Sequence, residues 1–222
     1  MDYPEFLNEI KSYAEESYRE FHKKLLKNDN IQVLGVRVPT LRKLSKKYLN
    51  EVDEILTFPD EFYEVTFIKL SAVAMLDYDN FILRLDNCVN LINNWATCDC
   101  FIPKCIKKHR QEFLPYIRKY AAADGEFKQR FALTTLLHFY VEEHYLEMIF
   151  ALVDRCDTSK YYVHMAAAWL IAETLVKYYP QARGYLMENS LDKKTHNKAI
   201  QKACESFRLS NDEKNYLKGM KR

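Results

Sequence analysis

Glycine and proline are scarce in this chain: four glycines and six prolines occur among its 222 residues. β-Sandwiches and doubly wound sheets need many tight turns, and tight turns depend on these two residue types. Long helices joined by short loops do not need them. The scarcity therefore favours an all-α fold before any periodicity is considered.

The chain also lacks a long apolar run and a signal-peptide pattern. No stretch approaches the roughly 18 to 20 apolar residues that a membrane-spanning helix needs. The N-terminal stretch MDYPEFLNEIKSYAEE is acidic and amphipathic, whereas a signal peptide is basic and then apolar. We therefore expect a cytoplasmic protein that has reduced thiols and no membrane partner.

Metal and phosphate-loop patterns are missing as well. Cys98-x-Cys100-x4-Cys105 fits no common zinc-site spacing, and a helical pitch would point Cys98 and Cys100 apart. The six histidines include no pair at metal-binding helical spacing beside a carboxylate motif, and four glycines leave no Gly-rich loop. The sequence predicts free thiols, no metal and no cofactor.

Helical periodicity is present almost throughout. Apolar residues recur every three or four positions, and no strand-like alternation is longer than four residues. No linker is rich in Gly, Ser or Pro, so we expect a single domain over residues 1–222. The pattern predicts a break at Asn28–Asn30, a helix that opens at Pro39, a buried helix over 60–77, and further helices over 79–93, 95–108, 110–122, 126–141, 144–156, 160–179, 195–208 and 212–219.

Similar positions recur along the chain at a near-constant interval. Trp95, Arg130 and Trp169 lie 35 and 39 residues apart. A period near 40 built from two helices is typical of a HEAT-like helical-repeat solenoid, an α-α superhelix. One helix of each pair would line a concave face, so we expect these residues and Asp99 to converge on one groove. Because the amino-acid sequence itself does not repeat clearly, a globular helical bundle is the alternative at this point.

Positive charge is unevenly distributed, although the net charge is only +2. Residues 31–48, 104–119 and 191–222, the three basic blocks, each carry a net +5, so the rest of the chain carries −13. If folding gathers the basic blocks on one face, they form a cationic surface of the kind that binds nucleic acid. Three solvated helix faces that never meet are the alternative.

Five segments in sequential order are similar to those of a known family. They are Leu34-Gly35-Val36-Arg37-Val38-Pro39 with Arg42-Lys43-Leu44, then Trp95-x3-Asp99, then KQRFA at 128–132, YYVHMAAAW at 161–169 and HNKAIQK at 196–202. Together they resemble the AlkD-like family of DNA alkylation-repair proteins, over nearly the whole chain.

This resemblance implies a HEAT-like solenoid that binds double-stranded DNA and hydrolyses the N-glycosidic bond of N3- or N7-alkylated purines. Family members of the active kind do so without flipping the base, whereas most DNA glycosylases flip it. The resemblance further implies that Asp99 is catalytic, that Trp95 and Trp169 hold the DNA beside it, and that Arg130 binds a phosphate. The other residues expected to contact DNA are Arg37, Arg42, Lys43, Lys46, Lys104, Lys107, Lys108, Lys198 and Lys202.

One position departs from the pattern of the active family members. Ala172 stands where they carry an arginine, three residues after the second tryptophan. Two other functions therefore stay open: a catalytically silent DNA-binding protein of the same fold, and a protein-interaction scaffold. Nothing resembles an exposed heptad seam, so we expect a monomer.

Overall fold

The computed structural model describes residues 2–26 and 30–222, and the regular elements within them are helices. The chain divides into two compact units, which we call the N-terminal unit (residues 1–108) and the C-terminal unit (residues 109–222). The all-α prediction is confirmed, and the single domain over 1–222 stays a prediction. The predicted break at Asn28–Asn30 lies mostly on residues 27–29, which are outside the described residues.

The N-terminal unit is built around one buried helix. Its helices are α1 (Tyr3–Lys11), α2 (Glu16–Leu26), α3 (Val38–Lys47), α4 (Val52–Leu56), α5 (Tyr63–Val73), α6 (Tyr78–Leu91) and α7 (Trp95–Cys100), with 3-10 helices at Leu49–Glu51 and Lys104–Lys108. The central helix is α5, which packs against α3, α4, α6 and α7. Ten of its eleven residues are buried, as predicted for the apolar stretch 60–77.

The C-terminal unit likewise has a central helix. Its helices are α8 (Arg110–Ala121), α9 (Glu126–Phe139), α10 (Leu146–Arg155), α11 (Tyr161–Lys177), α12 (Tyr179–Glu188), α13 (Lys193–Glu205) and α14 (Asn211–Gly219), with a 3-10 helix at Glu143–Tyr145. The central helix is α11, which packs against α9, α10, α12 and α13. None of the described helices in either unit combines the length and the apolar character needed to cross a membrane.

Alternate helices pack side by side in both units. In the N-terminal unit α3, α5 and α7 form a row; in the C-terminal unit α9, α11 and α13 form one row and α8, α10 and α12 a second. Rows of alternate helices are what stacked helical pairs produce, because each pair contributes one helix to each row. The helical-repeat class predicted from the sequence is therefore confirmed.

The predicted helix over 95–108 is wrong in extent. Helix α7 ends at Cys100, Phe101 leaves the helical region (φ −81°, ψ 83°), and the chain resumes as the 3-10 helix at Lys104–Lys108. Pro103 explains the break, because a proline lacks the N–H that a helix needs and disfavours helical backbone in the residue before it. Pro39 lies in the first turn of α3, as predicted.

The chain enters α3 through a tight segment that is anchored on α5. The fully buried carboxylate of Glu64 accepts hydrogen bonds from the backbone N–H groups of Leu34, Gly35 and Val36, at 3.0, 2.8 and 3.2 Å. Gly35 has φ +95°, in the region that favours glycine. This segment therefore depends on both its own glycine and a carboxylate some thirty residues downstream.

Replacement of Gly35 by alanine should destabilise the protein. A Cβ at this position would lie 2.5 Å from the carbonyl oxygen of Glu15 and 2.8 Å from Cβ of Arg19, in addition to the unfavourable φ. We expect Gly35→Ala to lower the free energy of unfolding by about 2 kcal/mol or more, measured by urea denaturation.

The control is Gly184→Ala, inside α12 with no atom within 4 Å of the new Cβ. It should stabilise the protein by about 0.5 to 1 kcal/mol. Equal urea midpoints for the two variants would contradict this account of Gly35.

Candidate functional site

Helix α7 presents Trp95 and Asp99 on one face. Asn94 caps the helix by accepting the N–H of Thr97 at 2.9 Å, so Trp95 is its first residue and Asp99 follows one turn later. Both side chains are half-buried. The indole N–H of Trp95 donates to the carbonyl oxygen of Leu25 at 3.3 Å, at the end of α2. The tryptophan is thus held in place, while both residues remain partly exposed.

Arg42 of α3 reaches the same end of α7. Its guanidinium lies close enough to the thiol of Cys100, the residue next to Asp99, to influence the pKa of that thiol. Burial is the main cause that raises the pKa of Cys100; the charge of Asp99 adds to this effect and Arg42 opposes it. The packing of α3 and α7 on α5 therefore brings two of the predicted site residues, Arg42 and Asp99, to one place on the N-terminal unit.

Two buried aromatic residues lie beneath this place. The ring of Tyr63 in α5 is near Cys100 and Arg42, and burial raises the pKa of its phenol. His22 of α2 packs edge-on against Tyr63, with ring centroids 4.5 Å apart. Its Nδ1 finds no hydrogen-bond partner among the described residues, and burial lowers its pKa. His22 is therefore neutral in the folded protein at neutral pH.

Glu64 is a residue that sequence reasoning missed. It positions α3, and hence Arg42, by holding the N–H groups of residues 34–36. The signal was an acidic residue inside the apolar stretch FYEVTFIKL. A carboxylate buried on a central helix needs hydrogen-bond donors, and a neighbouring glycine-containing segment can offer backbone N–H groups.

The predicted basic contacts of the N-terminal unit differ in their surroundings. Arg37 forms two hydrogen bonds with the carboxylate of Glu15, both 2.8 Å, and lies over the ring of Tyr18 at 5.0 Å. Its guanidinium is thus engaged within the protein. The others are exposed on α3 and on the 3-10 helix that follows α7: Arg42, Lys43, Lys46, Lys104, Lys107 and Lys108.

Arg130 lies inside the C-terminal unit. It is only 5% exposed, and its Nη1 donates to the carbonyl oxygen of Tyr162 at 2.8 Å. One turn earlier on α9, Glu126 accepts the N–H of Tyr162 at 2.7 Å. The two α9 side chains therefore hold the first turn of α11, the helix that carries Trp169. Phosphate binding by Arg130 stays a prediction, and the observed contacts give this residue a positioning role.

Trp169 borders an open cleft of about 150 Å³ in the C-terminal unit. It is 38% exposed, and its ring meets His138 edge-on at 6.4 Å. Lys202 of α13 lines the same cleft, whereas Lys198 is half-buried one turn earlier and donates to Gln201 at 3.2 Å. The C-terminal unit thus brings together Trp169 and Lys202 among the predicted residues.

The predicted site is divided between the two units. Trp95, Asp99 and Arg42 lie on the row α3–α5–α7, whereas Arg130, Trp169 and Lys202 lie on the row α9–α11–α13. Within each unit the candidate residues thus belong to one row of alternate helices. Their convergence on a single groove, and the gathering of the three basic blocks on one face, stay predictions.

The cysteines form no cluster. All six are free thiols, and burial raises the pKa of Cys88 and of Cys156 to about 12. Residues 2–26 and 30–222 contain no group of three His, Cys, Asp or Glu side chains placed to hold a metal ion.

The chain was compared with protein families and with curated proteins. A family model described as DNA alkylation repair enzyme matches residues 6–207. A search of the curated proteins gave no match.

The buried His22 should make stability depend on pH. Its folded-state pKa lies below the ordinary 6.5 because burial disfavours the imidazolium. Below about pH 6.5 the unfolded chain therefore binds the proton more readily than the folded protein does. The free energy of unfolding decreases as the pH is lowered through this range. We expect His22→Phe, which keeps the contact with Tyr63, to lose less thermal stability than wild type between pH 7 and pH 5.

The control for this prediction is His144→Gln. The side chain of His144 is 62% exposed, so this variant should keep the wild-type dependence on pH. Part of the dependence will persist in His22→Phe, because burial also lowers the pKa of His164 and His196. An identical loss of thermal stability in wild type and His22→Phe would show that His22 does not contribute.

Proposed function

Because the chain belongs to the family of DNA alkylation repair enzymes, we propose that it is a DNA glycosylase that hydrolyses the N-glycosidic bond of N3- or N7-alkylated purines in double-stranded DNA. The observation that carries the proposal is the pairing of Trp95 and Asp99 on one accessible face of α7, with Arg42 beside them. An aromatic face and a carboxylate suit the stabilisation of a cationic sugar.

The leaving group makes this small set of residues sufficient. An N3- or N7-alkylated purine is already positively charged. When its glycosidic bond breaks, the bonding electrons move to the base nitrogen and neutralise that charge. Departure therefore requires no strong general acid, and the transition state places positive charge on the deoxyribose, where a fixed carboxylate is most effective.

In this mechanism Asp99 acts on the sugar and on water. Its carboxylate stabilises the oxocarbenium character at C1′ and orients a water molecule towards that carbon. As the water oxygen bonds to C1′, the carboxylate accepts the proton. The products are the free alkylated base and an abasic site, and no cofactor is consumed.

The two tryptophans hold the DNA in place. The hydrogen bond of the Trp95 indole to Leu25 fixes its ring plane, so its face is preorganised for contact with the deoxyribose or the cationic lesion. Trp169, accessible at its cleft, has the same task from the C-terminal unit. The exposed lysines of the three basic blocks supply affinity for phosphates that does not depend on base sequence. We also infer that the protein acts as a cytoplasmic monomer, and free thiols suit a reducing compartment.

A catalytically silent DNA-binding protein is the second candidate. Two observations favour it: Ala172 adds no cation beside Trp169, and Arg130 is buried and bonded to a carbonyl oxygen. Such a protein would bind DNA with the same dependence on salt but would release no base.

Replacement of Asp99 should separate binding from chemistry. We expect Asp99→Asn to lower the release of 3-methyladenine and 7-methylguanine from methylated duplex DNA by at least about 100-fold, as loss of one preorganised electrostatic group does. Its affinity for DNA should not fall. The control is Asp79→Asn, an exposed residue in the first turn of α6 that should release base at the wild-type rate. Normal turnover by Asp99→Asn would refute the assigned role, and no release by wild type would leave the silent DNA-binding protein.

Affinity for duplex DNA should fall steeply with salt. Each phosphate contact contributes about 0.9 to the slope of log K against log salt concentration. We expect the double variant Lys107→Gln and Lys108→Gln to lower that slope by up to about two. Lys11→Gln with Lys23→Gln, two exposed lysines outside the basic blocks, is the charge-matched control and should keep the wild-type slope. Affinity that is independent of salt would instead favour the protein-interaction scaffold.

A further inference from the structure

The cleft beside Trp169 is formed by α11 and by the end of α13 with the loop after it. Helix α11 contributes Trp169, Ala172 and Glu173, and the other wall ends in Arg208. Ala172 contributes only a methyl group to the lining at this position. The cleft volume of about 150 Å³ is comparable to that of a cavity that holds a benzene molecule, so a single sugar ring or phosphate group fits there.

Arg208 is fixed across this cleft although it lies in a loop. Its Nη2 donates to Oε2 of Glu173 at 2.8 Å, and Lys177 also approaches Glu173, at 3.5 Å. Glu173 follows Trp169 by one helical turn, so the guanidinium is held on the face of α11 that carries the tryptophan. The Arg208 side chain nevertheless remains 56% exposed. A guanidinium has five N–H donors, and this geometry leaves donors directed at solvent.

The adjoining residue Phe207 is completely exposed, at 100%. It is flanked by Ser206 and Arg208, which both line the cleft. A phenyl ring without any protein contact loses the free energy that its burial would provide. Nucleic-acid-binding surfaces use aromatic and arginine side chains together. The aromatic ring packs on sugars or bases, and the arginine binds phosphates.

The charges of the cleft decide which ligand it suits. Among the residues that line the cleft, Arg208 and Lys202 are basic and Glu173 and Glu205 are acidic; Lys177, which is not part of the lining, approaches Glu173 at 3.5 Å. Glu173 is neutralised by two of these cations. Glu205, which accepts a hydrogen bond from Gln201 at 3.3 Å, is the acidic group that opposes an anion here.

We propose that this cleft binds one phosphodiester of the DNA backbone: Arg208 donates to its oxygens, Trp169 packs on the adjoining deoxyribose, and Phe207 contacts the next sugar or base. Glu173 is the positioning residue for Arg208. The inference rests on the proposed function, since it assigns a backbone contact to the same DNA. Arg208, in the loop between α13 and α14, thus supplies the cation that α11 lacks because it has an alanine at position 172.

The test is the binding of a fluorescein-labelled, unmodified duplex by the full chain at several salt concentrations. We expect Arg208→Gln to weaken binding about tenfold, the equivalent of one charge-assisted hydrogen bond, and to lower the salt slope by about one. Arg208→Lys should keep the wild-type salt slope but lose part of the affinity for DNA. Lysine keeps the positive charge but lacks the planar set of N–H donors of a guanidinium. The matched control is Arg155→Gln, an exposed arginine of α10 that is absent from the cleft lining and should bind as wild type does.

Two more variants distinguish a ligand contact from a structural role. Glu205→Gln removes the acid that repels a phosphate and should tighten the binding of DNA. Tighter binding is not expected if the cleft has only a structural role. Phe207→Ser should weaken binding severalfold without a change in salt slope, whereas Met187→Ser, at a methionine that is 56% exposed on α12, should change nothing. Thermal melting should match wild type for Arg208→Gln and Phe207→Ser, since both side chains are exposed.

The outcomes separate this inference from the proposed function. If wild type binds the duplex with a steep salt slope but Arg208→Gln and Phe207→Ser bind equally well, the cleft is not a backbone contact and the inference fails alone. If wild type does not bind duplex DNA, the proposed function fails and the inference fails with it. Equal weakening in Arg155→Gln and Met187→Ser would also overturn the assignment, because the effect would not belong to the cleft.

Discussion

One buried carboxylate is the constraint on which the N-terminal unit depends. Burial raises the pKa of Glu64, and the three N–H groups of residues 34–36 oppose that effect by stabilising its charged form. An ionised group loses several kcal/mol of hydration when it is buried, so it is tolerated only where such donors are supplied. Since those donors belong to the segment that enters α3, the same contact sets where α3 begins and where Arg42 lies relative to Asp99.

The central helices place the candidate residues of each unit. Helix α5 carries none of the predicted site residues, yet α3 and α7, which do, both pack against it. Helix α11 carries Trp169 and is central itself. Its buried residues Ala166, Ala167 and Ala168 have small side chains, so α9 and α13 can approach closely, while Trp169 remains at the edge of the row. The apolar character of both helices follows from having neighbours on most sides.

Local contacts were predictable from the sequence, and distant ones were not. Pro39 lies in the first turn of α3, as expected, because the effect of a proline on helix start acts within one turn. The pairing of Trp95 with Asp99 on one face likewise needs only helical geometry. By contrast, the partner of Arg37 lies 22 residues away, and Arg130 bonds to a carbonyl 32 residues away. Periodicity carries no information about such partners, so neither contact was predicted.

The sequence by itself determined the helical class, most helix positions, the segments shared with the family and the chemical types of the candidate residues. These properties depend on composition and on spacings of three or four residues, which act within a single helix. Tertiary structure alone decided that Arg42 meets Cys100 beside Asp99, that Arg130 is buried beneath α11, and that Arg208 joins Trp169 at one cleft. The physical reason is that each of these contacts joins side chains from different helices, and their meeting depends on how the rows pack.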